Sequence, residues 1–348
     1  MKTIKTLAMI FATVAMFATS CTPADNGGES VKADLTELNA AIAACDEALV
    51  DAEGSYPADA ITTLETLVAT AKAAVAKGLS QTAADNLKQQ LAAALDVFKA
   101  AKFDAIPADA LTFALSFDEG QGNSLTTTGK YQWTAVLTAG PAEEIANPEL
   151  PTFVDGKKGK AMHFNNGAHL EISNYAANVL EGNELSIAVW VNPEEARPGN
   201  YIISYNYWNS WKLNIQDGGK PFFTVGTNNG IADMDNETDQ SVPANAWTHV
   251  VVTCNTTAGS VCFYVNGSLT KEWTVESKGA ALQGTITPNE KALPLMIGAC
   301  TTYAEALTWD WFTPANGGWN DWFKGSLDEL QVYNKALTAG QVAALYNE

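Results

Sequence analysis

Basic residues are scarce in this sequence: 20 Lys and Arg stand against 39 Asp and Glu, for a formal net charge of −19. Such a surface repels nucleic acid, and no run of Lys or Arg reverses the sign locally, so a nucleic-acid partner is excluded. Strongly anionic glycans are disfavoured on the same ground. Histidines number three and cysteines five, with no CxxC pair and no Cys/His cluster, which speaks against zinc. Apart from Leu7–Phe17, long apolar runs are missing, and that one is too short to span a bilayer. What remains is ordinary globular composition, 47% hydrophobic and 17% charged over 348 residues, enough for a sizeable core and more than one domain.

The N-terminus carries a targeting pattern. Lys2 and Lys5 precede the apolar run, which ends in Ala18, Thr19, Ser20 and Cys21. Small residues followed directly by Cys resemble the cleavage and lipidation box of bacterial lipoproteins. The resemblance implies a signal peptide over 1–20 and a lipid on Cys21. Residues 21–30 then read as a polar tether without apolar periodicity. Surface-exported Gram-negative lipoproteins often carry a tight acidic cluster after that Cys. Here Asp25 and Glu29 stand apart, so attachment to the outer membrane is expected, with display at the cell surface favoured and the periplasmic face left open.

Residues 31–105 contain no Trp and place apolar residues at helical spacing. The stripes are Leu35, Leu38, Ile42, Cys45 and Leu49; Ile61, Leu64, Val68, Ala71 and Val75; and Leu87, Leu91, Leu95 and Phe98. Gly54–Pro57 and Gly78–Ser80 break them, which predicts a three-helix bundle serving as a spacer. Beyond residue 108 the pattern switches to short Val-, Ile-, Phe-, Tyr- and Trp-rich runs bounded by Gly, Asn, Pro and Asp, the mark of a sandwich or jelly roll. Trp211, Leu213 and Ile215 alternate with Lys212, Asn214 and Gln216, and Val250–Thr253 and Val261–Val265 form a predicted hairpin. Four cysteines, Cys45, Cys254, Cys262 and Cys300, allow three pairings that spacing does not decide. Cys254 and Cys262 flank that hairpin turn, where a cross-strand bridge and two small buried hydrophobes are both open.

Five segments resemble, in order, the laminin-G-like jelly roll of the concanavalin A-like superfamily. They are Phe113–Gly120; Gly159–Phe164 with Leu170–Ile172; Leu185–Pro193; Trp247–Thr253 with Tyr264–Gly267; and Phe323–Leu337. The expectation is therefore a multidomain chain, an N-terminal three-helix bundle followed by an all-β concanavalin A-like jelly-roll sandwich over 108–348. Trp190, Trp247, His249 and Tyr333 lie in strand contexts and read as satisfied core residues. His249 has no nucleophile beside it that would make it a catalytic base. In such a fold the terminal strands neighbour each other. Asp118 and Asp328 would then meet, and related folds place a structural Ca²⁺ there; two solvated acidic turns are the alternative.

A long insert before the closing strand holds Tyr303, Trp309, Trp311, Phe312, Trp319 and Trp322 among Asp310, Asn316, Asn320 and Asp321. A second aromatic loop is Tyr205–Asn209. Rings cover the apolar faces of sugars while Asp and Asn bond their hydroxyls, so Trp309, Asp310, Trp311, Trp319, Tyr207 and Trp208 are the candidate carbohydrate-binding residues. The competing reading is a local mini-core, toward which Trp322 leans because it abuts Phe323. Asp233–Asp239 alternates acids, but its intervening residues are too polar for a strand with a buried back, so a solvated loop is expected rather than a hydrolase acid pair. The resulting expectation is a membrane-anchored, non-enzymatic protein that binds a neutral polysaccharide or oligosaccharide and meets the membrane only through its lipid. Its rivals are a glycoside hydrolase or lyase and a protein-binding adhesin.

Overall fold

The computed structural model describes residues 33–52, 55–176, 179–310, 312, 319 and 321–348. They form two compact units, one reaching to Asp104 and including Ala343–Glu348, the other Ala105–Val342. No helix among them is long and apolar enough to cross a membrane.

Helices α1 (Thr36–Leu49), α2 (Ala58–Lys77) and α3 (Gln81–Ala100) make up the first unit. Their apolar stripes meet in one core, with Leu38, Ile42 and Cys45 against Leu64, Val68 and Ala71 and against Leu91, Leu95 and Phe98. Local signals set the ends. Pro57 precedes α2, where a missing N–H costs nothing, and Ser80 caps α3 by accepting a hydrogen bond from the Ala83 amide at 3.3 Å. Tyr56, in the first break, stacks on Phe98 with ring centroids 4.1 Å apart.

The second unit is a sandwich. Its first eight strands are β1 (Leu111–Leu115), β2 (Ser124–Thr126), β3 (Thr134–Thr138), β4 (Thr152–Asp155), β5 (Lys160–Phe164), β6 (His169–Ile172), β7 (Glu184–Pro193) and β8 (Asn200–Tyr205). The rest are β9 (Trp211–Ile215), β10 (Pro221–Thr227), β11 (Gly230–Asp235), β12 (Thr248–Asn255), β13 (Ser260–Val265), β14 (Ser268–Thr274), β15 (Leu295–Ile297) and β16 (Gly325–Tyr333). Two short helices lie between strands, α4 (Val275–Lys278) and α5 (Tyr303–Ala306), and α6 (Ala339–Asn347) follows β16. One sheet runs β14-β13-β12-β7-β16-β5-β4, with β1 also paired to β16; the other runs β11-β10-β9-β8-β15-β6-β3-β2. Between them Leu185, Ile187, Val189 and Val191 of β7 meet Trp211, Leu213 and Ile215 of β9 and Phe223 and Val225 of β10 in a single core. This is the expected jelly-roll sandwich, and the terminal strands are neighbours, Leu115 facing Leu330.

One expectation changes, and one open alternative closes. The alternating acids are not all loop, because Gly230–Asp235 is the edge strand β11 with Ala232 and Met234 packed inward. The hairpin cysteines do not bond: Cys254 faces Val261 while Cys262 faces Thr253, and all four described cysteines are free. Adjacent, non-opposed positions on paired strands turn their side chains to opposite faces of the sheet.

On the outer face of the first sheet, His249 lies against Trp190 with ring centroids 5.1 Å apart. Burial, with the Lys158 charge nearby, pushes its pKa down to about 4. The imidazole is neutral in the folded protein but protonates near 6.5 when unfolded. Its contribution to stability is therefore complete above pH 6.5 and is lost as pH falls toward 4. His249→Gln is expected to recover about 2–3 kcal/mol of the stability that the parent protein loses between pH 7 and 4.5, measured by urea denaturation. Equal acid losses in the two proteins would refute the assignment.

Candidate functional site

Alternation along β9 and β10 sends every second side chain to the outer face of the second sheet. There stand Tyr201 and Ser204 of β8, Lys212 and Asn214 of β9, Phe222 and Thr224 of β10, and Asp233 and Asp235 of β11. An open sheet face would leave these polar groups wet, yet Ser204, Lys212, Asn214 and Thr224 are buried. The two aromatic loops roof them. β8 pairs antiparallel with both β9 and β15, so the loop after β8 leaves beside the start of β15, and the insert after β15 must fold back over the sheet face to reach it.

The loops meet ring to ring. Trp309 stands edge-on to Tyr207 at 4.9 Å and to Trp208 at 6.3 Å, and Trp208 in turn to Tyr201 at 6.5 Å. Glu305 of α5 ties the group together: Tyr207 Oη donates to its Oε1 at 2.8 Å, Trp309 Nε1 donates at 3.4 Å, and Lys291 pairs with it. Burial opposes the Glu305 charge, but the hydrogen bonds from Lys291, Tyr207 and Trp309 prevail and hold its pKa below the usual carboxylate value.

Beneath Trp208 lies the Lys212 ammonium, 1% exposed. It donates to Asn214 Oδ1 at 3.2 Å and stands 4.7 Å from the ring centres of Trp208 and Phe222 and 5.1 Å from that of Tyr201. Burial lowers its pKa, while the carboxylates Asp233 and Asp321 act in the opposite direction. A cation so enclosed is held by ring quadrupoles in place of water. The sequence marked Lys212 as outward-facing and stopped there, because period-two alternation says nothing of a roof.

The six candidate residues fare differently. Trp208 and Trp309 come together and stay half-buried, each keeping an accessible part of its ring. Asp310 is exposed beside them. Tyr207 and Trp319 do not offer a face for a sugar. Tyr207 is buried under Trp309, and Trp319 is buried among Met296, Ala299 and Ala306 with its ring edge-on to His169 at 5.5 Å. For these two the mini-core reading prevails, since neighbours from distant strands cover the rings. Trp322 is half-buried, with the Arg197 guanidinium 4.1 Å over its ring. Trp311 lies outside the described residues, as does Cys21.

Phe222 opens onto a groove of about 610 Å³ at the β11 edge, which sequence reasoning missed by reading the acids there as loop.

Asp118 and Asp328 converge on the turn between β4 and β5. Asp118 Oδ1 accepts from the Lys160 amide at 2.8 Å and Asp328 Oδ2 from the Lys158 amide at 2.9 Å. The turn needs glycine at two places, because a Cβ on Gly159 would come within 2.0 Å of Asp118 Oδ1 and one on Gly156 within 2.6 Å of Asp328 Oδ2. Asp328 is fully buried, and its Oδ1 has no hydrogen-bond partner among the described residues. Burial raises its pKa to about 6, against the backbone amides of Lys158, Lys157 and Glu329, and the Asp118 charge adds to the rise. No group of three or more His, Cys, Asp and Glu that could hold a metal occurs among the described residues. Two carboxylates gathered at one turn still suit a hard cation, and an orphaned, buried carboxylate oxygen fits one.

The sandwich and its roofed sheet face define a protein of the lectin-like jelly-roll class. The chain belongs to the concanavalin A-like lectin/glucanases superfamily, whose laminin-G-like family model matches residues 164–343. No curated protein matches it. Among solved structures, domain 4 of AbnA, a GH43 extracellular arabinanase from Geobacillus stearothermophilus, in complex with arabinotriose, is 20% identical with a TM-score of 0.47, covering 70% of this chain and 100% of that one. The binding domain of Paraclostridial Mosquitocidal Protein 1 is 16% identical with a TM-score of 0.49, covering 69% and 52%. The binding domain of Botulinum Neurotoxin DC in complex with SialylT is 16% identical with a TM-score of 0.46, covering 69% and 51%. The chain thus spans about half the length of the latter two.

Proposed function

We propose that this protein binds a neutral glycan on the outer face of its second sheet and does no chemistry on it. One observation carries the reading: Trp208 and Trp309, about a hundred residues apart in sequence, are brought 6.3 Å apart with partly accessible rings beside a polar groove. Exposed indole is retained where it meets an apolar surface, and sugar C–H faces are such a surface. Three groove acids are engaged in ion pairs, Asp235 and Asp239 with Lys220 and Glu237 with Lys271, and Asp233 accepts from Thr224, which suits holding hydroxyls better than cycling protons. Affinity electrophoresis in gels of galactomannan, arabinan and mixed-linkage β-glucan tests the reading. Retardation in at least one gel without release of reducing ends is expected. Reducing-end release would show an enzyme. Absence of retardation, together with capture of a protein ligand, would show an adhesin.

A structural calcium ion is proposed at the β4–β5 turn, with Asp118 and Asp328 as its carboxylate ligands. Bound there, it would neutralise two carboxylates that repel each other and fasten the turn to the closing strand.

We further propose that a lipid on Cys21 anchors the protein to the outer membrane of a Gram-negative bacterium, facing the cell surface. The support is the apolar run ending at Ser20 and Cys21. Membrane fractionation of cells expressing the full chain is expected to recover it with the membrane and to lose it to the soluble fraction on Cys21→Ala. Equal membrane recovery of both would overturn the anchor.

A further inference from the structure

The groove beyond Phe222 takes no part in the aromatic platform, but a single buried lysine separates the two. Lys212 stands at the junction, its ammonium 4.7 Å from the ring centre of Trp208 on the platform side and 4.7 Å from that of Phe222 on the groove side. From there the groove runs across β10 and β11 to Trp273 of β14, at the edge of the opposite sheet. Its volume, about 610 Å³, lies within the range of small-molecule sites, roughly 300–1,000 Å³.

The walls are tied down from both sheets. Thr224 Oγ1 donates to Asp233 Oδ1 at 2.5 Å, Trp273 Nε1 donates to the Asp235 carbonyl at 2.7 Å, and Lys278 Nζ donates to the Asp233 carbonyl at 2.7 Å. Lys220 spans Asp235 at 3.4 Å and Asp239 at 3.2 Å. Carboxylate acceptors and ammonium donors therefore both line the groove, with the half-buried Phe222 ring as part of its apolar surface. A sugar hydroxyl both donates and accepts, and such a wall satisfies both roles. An anionic sugar would meet the carboxylates of Asp233, Asp235 and Asp239 and be repelled.

We propose that this groove is a second sugar subsite, so that the protein binds an extended stretch of a neutral glycan chain rather than a chain end. The inference rests on the glycan-binding reading above and gives it a direction: the chain lies across the sheet from the Trp208–Trp309 platform to Trp273. Ligands that fill both regions gain the second set of contacts without a second loss of translational freedom.

Titration calorimetry with oligosaccharides from disaccharide to octasaccharide, prepared from whichever of the three polymers retards the protein, tests it. Affinity is expected to climb by about tenfold or more with length before levelling off. Phe222→Leu keeps an apolar cover on Lys212 but removes the flat ring, and Asp233→Asn keeps an acceptor for Thr224. Both are expected to lose most of the length-dependent gain while leaving disaccharide affinity and melting temperature unchanged. Affinity independent of length, or variants that bind the long ligand like the parent, would overturn the subsite and leave the platform standing. Failure of all three gels to retard the protein would overturn the glycan reading itself, and this inference with it.

Discussion

Asp328→Ala is expected to lower the melting temperature by about 5–10 °C in millimolar calcium and to abolish the response to a chelator, if the proposed ion is bound. The size follows from linkage. An ion present at a hundred times its dissociation constant stabilises the folded state by about 2.7 kcal/mol, and in a domain of this size each kcal/mol moves the midpoint by about 2–4 °C. The fully buried position and orphaned Oδ1 of Asp328 give the variant a second signature. A buried carboxylate without a counter-charge is destabilising, so deleting it relieves the chelated protein of that cost. In chelator the variant should therefore melt at or above the parent, and in calcium below it. Asp118→Asn, with its backbone hydrogen bond to Lys160 retained, should show a smaller calcium response than the parent. A parent protein that melts at the same temperature in calcium and in chelator rules the ion out.

How much was readable in the sequence divides along local and non-local lines. The helices, the Trp211–Gln216 alternation and the closing strand were legible because each depends on periodicity within a few residues. Asp118 and Asp328 were legible as a pair only through the resemblance, which supplied the pairing of first and last strands. The second aromatic loop and the insert could each be marked as unusual, but their meeting depends on β15 lying beside β8, with Met296 opposite Ser204. No local pattern encodes that registry. Composition likewise could not tell Trp319 from Trp309. What buries Trp319 is Ile145 and Gly167, the latter leaving so little room that a Cβ would come within 2.9 Å of the indole. The β11 strand was missed for a different reason. Its two inward residues, Ala232 and Met234, are few and flanked by carboxylates, so edge position and charge hid the alternation.

Trp208→Ala and Trp309→Ala should each weaken binding to the retarding polysaccharide by about tenfold or more, on the order of 1–2 kcal/mol per ring. Each indole keeps part of its surface accessible, and covering a sugar face with it removes apolar area from water. The two rings touch, so their effects will not add: the double variant should lose less than the product of the single losses. Neither change should unfold the sandwich, because both rings lie on the roof and outside the inter-sheet core. Trp309→Ala also removes the N–H that bonds Glu305, so a drop of a few degrees is expected there, and Trp309→Phe, which keeps a flat ring, should restore part of the binding. Trp319→Ala is the contrasting control. Its buried indole supports the insert, and its loss should cost about 3–5 kcal/mol of stability, with binding impaired only as far as the loop is displaced. Affinity electrophoresis of the five variants, read beside their melting curves, separates the roles. If Trp208→Ala and Trp309→Ala migrate with the parent in the retarding gel, the platform is not the binding surface, and the Trp208–Trp309 contact serves only to pin two loops together.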